Sequence, residues 1–419
     1  MRVVLINKSD ALGGAAVVTR RLMEALCQAG VDAKMLVAQK YTQDERIYPA
    51  ASGKEVKRFF LEERAEVFIS NGFSRKNLFK VDPASFGLPL WQHPIVKEAD
   101  AVILNWVNQG MLSLKGVAKI AEMKPVIWTM HDLWNATGIC HHSGKCLNFE
   151  KNCGNCPLLG WRASSRDLSF KTHKRKLQLY KNHPIRFVAV SSWLEKKCRE
   201  SSLMKDASIQ IIPNPFFSED TPLVSKRPNG ALRAVVAAAR LDDDVKGFPI
   251  LLKALEELVR SHKSIADRLT VIYCGDIRDK GLLNLTPVKW EWKGSVSPEE
   301  MPNIFADAEL VISSSRYETL PGTLVEGQAQ GAFPVAFDRG GQRDIIQNGE
   351  TGVLADFGMN DDEASANLSG AIVKASEIID MTDYQILAQR LKRSVKERFS
   401  AEEVAKKYIS LITDCVSAK

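Results

Sequence analysis

The stretch Glu318-Thr319-Leu320-Pro321-Gly322-Thr323-Leu324-Val325-Glu326 carries two carboxylates on either side of a helix start. Carboxylates accept paired hydroxyls, so one suits the hydroxyls of a sugar and the other a ribose diol. Gly322 and Thr323 open the helix, where backbone N–H groups lack helical partners and can meet a phosphate. Pro321 has no N–H to offer there. A helix-start glutamate followed by a surface glutamate is the plainer alternative. Upstream, Arg240 and Lys246 flank Leu241-Asp242-Asp243-Asp244-Val245, after a strand and before Gly247, which opens a helix. Two cations beside a helix N-terminus make a pyrophosphate site, and they can neutralise a departing nucleoside diphosphate without a metal. The competing reading is a loop salt-bridged to its own aspartates.

The first half offers three further candidates. Gly13-Gly14-Ala15-Ala16 follows the first strand and opens the first helix, an arrangement that admits a phosphate or is simply a tight turn. It is not a GxGxxG fingerprint, which counts against a nicotinamide oxidoreductase. His131-Asp132 ends a strand through Val126-Ile127-Trp128-Thr129, where a histidine can donate a hydrogen bond or hold a proton near a reacting sugar. Trp128 and Trp134 are candidates for a sugar platform. Cys140, Cys146, Cys153 and Cys156 have the spacing Cys-x5-Cys-x6-Cys-x2-Cys, with His141 and His142 as spare ligands. Four thiolates make a closed tetrahedral zinc site, structural rather than catalytic. Disulfides and free thiols are the alternatives.

Positioning these groups requires repeated βα units. Strands are expected at Val3–Ile6, Val31–Ala38, Ala101–Leu104, Pro125–Thr129, Arg186–Val190 and Ile209–Ile212, with helices between them. Ser191 or Ser192 caps the helix through Cys198. The polar segment Thr221–Gly230 reads as a linker, after which strands recur at Ala234–Ala238, Leu269–Cys274, Val311–Ser313 and Phe333–Phe337. The pattern predicts an α/β protein with mostly parallel sheets. Its N-terminal domain spans 1–220, with a Cys-rich insertion at about 134–160. The C-terminal domain spans 221–400, and a last helix at 401–419 packs back on the first domain. In such sheets ligands sit at the C-terminal ends of strands, where all these candidates fall.

The chain has 419 residues, 45% hydrophobic and 26% charged, which excludes long disorder and favours two domains. A net charge of +7 is too modest to imply nucleic acid. The excess is local: a run with Lys171, Lys174, Arg175, Lys176, Lys181 and Arg186, and a segment with Lys54, Lys57, Arg58, Arg64, Arg75, Lys76 and Lys80 among Phe59, Phe60, Leu61, Phe73 and Phe79. Such a segment suits anionic lipid head groups or, equally, a solvated face. The opening apolar run is short for a signal peptide and no stretch suits a membrane span. A cytoplasmic protein, at most peripheral at the inner membrane, is expected.

Together the Gly13-Gly14 loop, His131-Asp132, Ile212-Pro213-Asn214-Pro215, Arg240 with Lys246-Gly247, Glu318-x7-Glu326 and the run Gly327 to Val335 resemble a large group of retaining glycosyltransferases. This is family 4, of GT-B architecture. The resemblance implies two Rossmann-like domains facing across a cleft, with a nucleotide diphosphate sugar as donor and no catalytic metal. It implies Arg240 and Lys246 at the diphosphate, Glu318 at the donor sugar, Glu326 at the ribose, His131 near the sugar O6 and Gly14 near the donor phosphate. Asp344 is expected to cap a helix. The implied reaction is sugar transfer with retention to a saccharide or lipid-linked acceptor in capsule, lipopolysaccharide or other cell-surface polysaccharide assembly. Leu320-Pro321 departs from glycine-rich versions of the motif, and the Cys-rich insertion is not general to the group. A nucleotide-sugar epimerase or phosphorylase of the same fold, or a non-catalytic partner in a membrane-surface glycan assembly complex, are the other readings.

Overall fold

The computed structural model describes residues 1–217 and 230–418. Four-residue apolar runs become strands buried on both faces, as parallel sheets require: every residue of Ala101–Leu104 is inaccessible. The chain divides into two compact units, Met1–Pro215 with Ala401–Lys419, and Phe216–Ser400. The 221–229 part of the expected linker lies outside the described residues.

Unit 1 holds strands β1 (Arg2–Ser9), β2 (Asp32–Gln39), β3 (Ile47–Pro49), β4 (Ala101–Leu104), β5 (Val126–Met130), β6 (Arg186–Ala189) and β7 (Ile209–Ile211). They form a seven-stranded parallel sheet in the order β3-β2-β1-β4-β5-β6-β7. The helix Ala401–Ser417 belongs to this unit, and its buried Tyr408 hydroxyl lies 2.8 Å from Thr129 Oγ1 on β5.

Unit 2 holds β8 (Leu232–Arg240), β9 (Leu269–Asp276), β10 (Lys289–Gly294), β11 (Leu310–Ser313), β12 (Phe333–Phe337) and β13 (Val353–Ala355). Their order is β10-β9-β8-β11-β12-β13, again parallel. Its core packs the helices Phe248–Ser261 and Asp361–Met381 on one face through Leu251, Leu255, Leu258, Leu368 and Ile372.

In each sheet the strand order reverses once: β1 lies between β2 and β4, and β8 between β9 and β11. Loops leaving the carboxyl ends of two adjacent strands diverge there and leave room for a ligand. The relevant loops are those after β1 and β4 in unit 1, and after β8 and β11 in unit 2. Among the described residues no helix is long and apolar enough to cross a membrane.

Candidate functional site

In unit 2 the loops after β8 and β11 are tied together atom by atom. Arg316 N–H donates to Val245 O at 2.8 Å, and its Nε to Asp244 O at 3.1 Å. Ser314 Oγ donates to Lys246 O at 2.9 Å. Gly247 permits this approach: its φ is 65°, and a Cβ there would sit 2.2 Å from Ser314 O. Arg316 is itself anchored by two bonds of 2.5 and 2.6 Å to Asp361. The result holds Lys246 Nζ 2.6 Å from Glu318 Oε1, which also accepts Ser315 Oγ at 2.9 Å. Lys246 and Glu318, seventy-two positions apart in sequence, thus meet directly.

The backbone of Glu318 is fixed from the loop after β12, because its carbonyl accepts Gly341 N–H at 2.9 Å. Four residues on, Gly322 opens the helix Gly322–Ala329. That helix has no side-chain cap and no acidic residue in its first turn, so its amides keep their affinity for an anion. Thr323 follows at the same end and Glu326 lies one turn further in, half-buried. Arg240, at the end of β8, is bound to its own loop, with Nη2 2.7 Å from Asp243 and Nε 3.4 Å from Asp242. Asp344 does not cap a helix. It ends a short 3-10 turn, and its carbonyl accepts from Arg398 at 2.8 Å.

Unit 1 places its candidates separately. Gly13, with φ 88°, precedes the helix Gly14–Gln28, which also has no side-chain cap and no first-turn acid. No atom lies within 4 Å of a Cβ built on Gly13 or Gly14, so this helix start is open. His131 follows β5, half-buried, and its Nε2–H donates to Asn105 Oδ1 at 3.1 Å. Burial pushes its pKa down to about 4, so the ring is neutral and presents Nδ1 as an acceptor. It therefore offers a hydrogen bond rather than a proton store near neutrality.

The neighbouring residues depart from expectation. Trp128 and Trp134 are 1% and 2% exposed, with both indole N–H groups bonded to main-chain carbonyls, so they are core and not a sugar platform. His141 is no spare metal ligand: its Nδ1 lies 2.8 Å from Asp132 Oδ2, which also accepts Trp106 Nε1. Burial alone would lower the His141 pKa, but the Asp132 and Asp82 carboxylates outweigh it and hold it above the usual value. Burial likewise opposes charge on Asp132, yet His141 brings its pKa down to about 2.

Arg64 and Lys176, expected in basic surface runs, are instead buried in the rest of this network, whose carboxylates Glu63 and Asp82 the sequence reading did not single out. Asp82 pairs with Arg64 at 3.0 Å, both nearly inaccessible. Glu63 accepts the N–H groups of Ala84, Ser85 and Phe86, and burial beside Asp82 pushes its pKa up to about 9. Lys176 is fully buried, its Nζ donating to Thr137 O at 3.0 Å.

The expected zinc site is not assembled. Cys140, Cys146, Cys153 and Cys156 are free thiols, and no group of three or more metal-ligating side chains is gathered among the described residues. Burial pushes the Cys153 and Cys156 thiols up to about 12, which favours the protonated form. Cys153 instead accepts a backbone N–H from Gly138 at 3.2 Å.

Residues 233–373 match the model of the family described as glycosyl transferases group 1, and these include Arg240, Lys246, Glu318 and Glu326. The matched stretch lies wholly within unit 2. The chain is 22% identical over 271 residues to the putative colanic acid biosynthesis glycosyl transferase WcaC of Escherichia coli K12, a match to 60% of this chain and 64% of that protein. The match thus spans less than two thirds of that relative's length. Two solved structures resemble the whole chain. Sucrose-phosphate synthase from Thermosynechococcus elongatus has a TM-score of 0.65 at 16% identity, covering 100% of both chains. Anabaena HepE, in complex with UDP and glucose, has a TM-score of 0.61 at 14% identity, covering 99% of this chain and 100% of HepE. The architecture of the chain is α/β, of the GT-B type.

Proposed function

We propose that the protein transfers a sugar, with retention, from a nucleoside diphosphate sugar to a saccharide or lipid-linked saccharide in cell-surface polysaccharide assembly. The observation that carries the donor half is the joined loop pair, which sets the Lys246 ammonium against Glu318 four residues before an uncapped helix start. Lys246, Arg240 and the amides of Gly322 and Thr323 then meet the two phosphates, Glu318 the sugar hydroxyls and Glu326 the ribose. As the sugar–phosphate bond breaks, the acceptor oxygen forms the new glycosidic bond on the same face, and its proton passes to the leaving phosphate oxygen. Cations and amides offset the charge that gathers on that oxygen. Gly13 and Gly14 are assigned to the donor phosphate, and His131, neutral, to a sugar hydroxyl through Nδ1. The description of WcaC as a colanic acid biosynthesis glycosyl transferase supports the polysaccharide context.

The chemistry asks for no metal, and the four cysteines are assigned no catalytic part. Glu318 and Glu326 are not read as a hydrolase pair, which needs both acids beside one glycosidic bond. A thermal-shift screen of nucleoside diphosphate sugars tests the proposal, beginning with UDP-glucose because HepE was solved with UDP and glucose. At least one donor should raise the melting temperature of the wild type and fail to do so for Lys246→Ala. Conversion of that donor to its epimer without an acceptor would move the protein to the epimerase reading.

A further inference from the structure

Three aromatic side chains of unit 1 stand in water: Trp161 is 75% exposed, Phe73 60% and Phe79 59%. Two come from the segment after the helix Gly53–Ser70 and one from the Cys-rich insertion, yet they belong to one layer. The Trp161 indole lies against Gly72, so close that a Cβ there would be 2.3 Å from Nε1. Asn77 Nδ2 donates to Leu158 O at 3.2 Å across the same seam. Beneath it a small core of Val67, Val81, Ile139, Cys156 and Leu159 joins the helix, its following loop and the insertion.

This layer holds Phe73 with its ring edge-on to Phe68, centroids 5.7 Å apart, and most of it still in water. Its φ is 60°, left-handed for a bulky residue, while its ring remains exposed. The surroundings are of one sign. Residues 71–81 and 157–166 contain Arg75, Lys76, Lys80, Arg162 and Arg166 and no Asp or Glu. All five are exposed, and none has an ion-pair partner among the described residues. The Arg162 guanidinium lies 4.9 Å from the centre of the Trp161 ring.

We propose that this face of unit 1 docks on an anionic lipid bilayer, with Trp161, Phe73 and Phe79 entering the interfacial zone and the five cations meeting lipid phosphates. Rings with an apolar body at the tips of turns, ringed by long cations, have the composition of an interfacial anchor. A second copy of the chain fits poorly, because a two-fold contact would set the same cations against one another. The inference also gives the insertion a task independent of any metal: it carries Trp161.

The test is co-sedimentation of the full chain with vesicles of phosphatidylcholine alone, and of phosphatidylcholine with about 30% phosphatidylglycerol. Binding is expected to the anionic vesicles only, and to weaken as salt is raised. Two variants separate docking from folding: Phe73→Ser with Phe79→Ser, and Arg75→Ser with Lys76→Ser and Arg162→Ser. Each should lose roughly tenfold or more in vesicle affinity while keeping the wild-type melting temperature. Equal binding to both vesicle types, no binding at low salt, or wild-type binding by both folded variants would overturn the proposal. So would a wild-type dimer, seen by light scattering without lipid, that the aromatic variant converts to monomer. The nucleotide-sugar thermal shift is read on the same samples. Its absence beside intact vesicle binding would remove the transferase reading and leave the docking face standing.

Discussion

Unit 2 keeps its described charged side chains largely at the surface, Glu309 excepted, and unit 1 keeps many of its own beneath it. Lys246 and Glu318 are 34% and 20% exposed, whereas Arg64 and Asp82 are 6% and 1%. An accessible pair contributes little to folding and can exchange its partner for a ligand. A buried pair is set against a large desolvation cost, and removing one member strands the other. The same kinds of residue are therefore available for binding in unit 2 and committed to scaffolding in unit 1. The loops after β8 and β11 also fasten each other mainly through backbone carbonyls, leaving the Lys246 and Glu318 side chains directed at one another near solvent.

The contrast is broken most severely at Arg64. Replacing it by Leu strips the inaccessible Asp82 of its nearest cation and leaves it only His141, 4.0 Å away, as an ion-pair partner among the described residues. A loss of about 3–5 kcal/mol in unfolding free energy is expected from urea titration. Lys246→Ala should cost at most about 1 kcal/mol in the same titration. A comparable loss in both variants would erase the distinction between the units. Turnover should rank differently: Lys246→Ala is expected to fall about 100-fold with the donor found by the screen. Near-normal turnover would return Lys246 to a loop-stapling role. A smaller effect is expected at Glu326. Its replacement by Ala should weaken free nucleoside diphosphate roughly tenfold by calorimetry, the worth of one charge-assisted hydrogen bond. Unchanged affinity would remove Glu326 from the ribose.

How much of this is legible in the sequence depends on where partners lie along the chain. Strands β1, β4 and β12 are apolar runs and read directly, and so does the Ser191 cap, whose Oγ accepts Leu194 N–H at 3.2 Å. The helix Gly53–Ser70 does not read, because part of its inward face is Glu63 and Arg64 rather than an apolar stripe. Its Ser52–Glu55 capping box was the available signal. β10 reads Lys-Trp-Glu-Trp-Lys-Gly at a sheet edge, without the apolar run that marks interior strands. In the site, Lys246 and Glu318 are visible one by one, but their contact depends on β8 lying beside β11. The Arg64–Asp82 and His141–Asp132 pairs depend on folding in the same way. The cysteine spacing marks Cys140, Cys146, Cys153 and Cys156 as neighbours, and their thiols do act on one another, but spacing fixes neither the direction of the thiols nor their distances.

The comparison is sharpened most finely by pH. His131 has a folded pKa of about 4, below the ordinary value of 6.5, so its contribution to stability is complete above pH 6.5 and is lost as pH falls toward 4. His173, pushed to about 4 by burial, acts in the same direction. His141 has a raised pKa, so its contribution is complete below 6.5 and is lost as pH rises through the folded value. His131→Asn should therefore flatten the acid limb of unit 1 stability, and His141→Asn the limb above neutrality. Each proton difference is worth at most about 1.4 kcal/mol per pH unit. Activity supplies the stricter test. If His131 works as a neutral acceptor, the turnover profile has no break near 6.5 that His131→Gln removes. A break there that vanishes in this variant would make the histidine a proton carrier and undo the assignment of Nδ1 to a sugar hydroxyl.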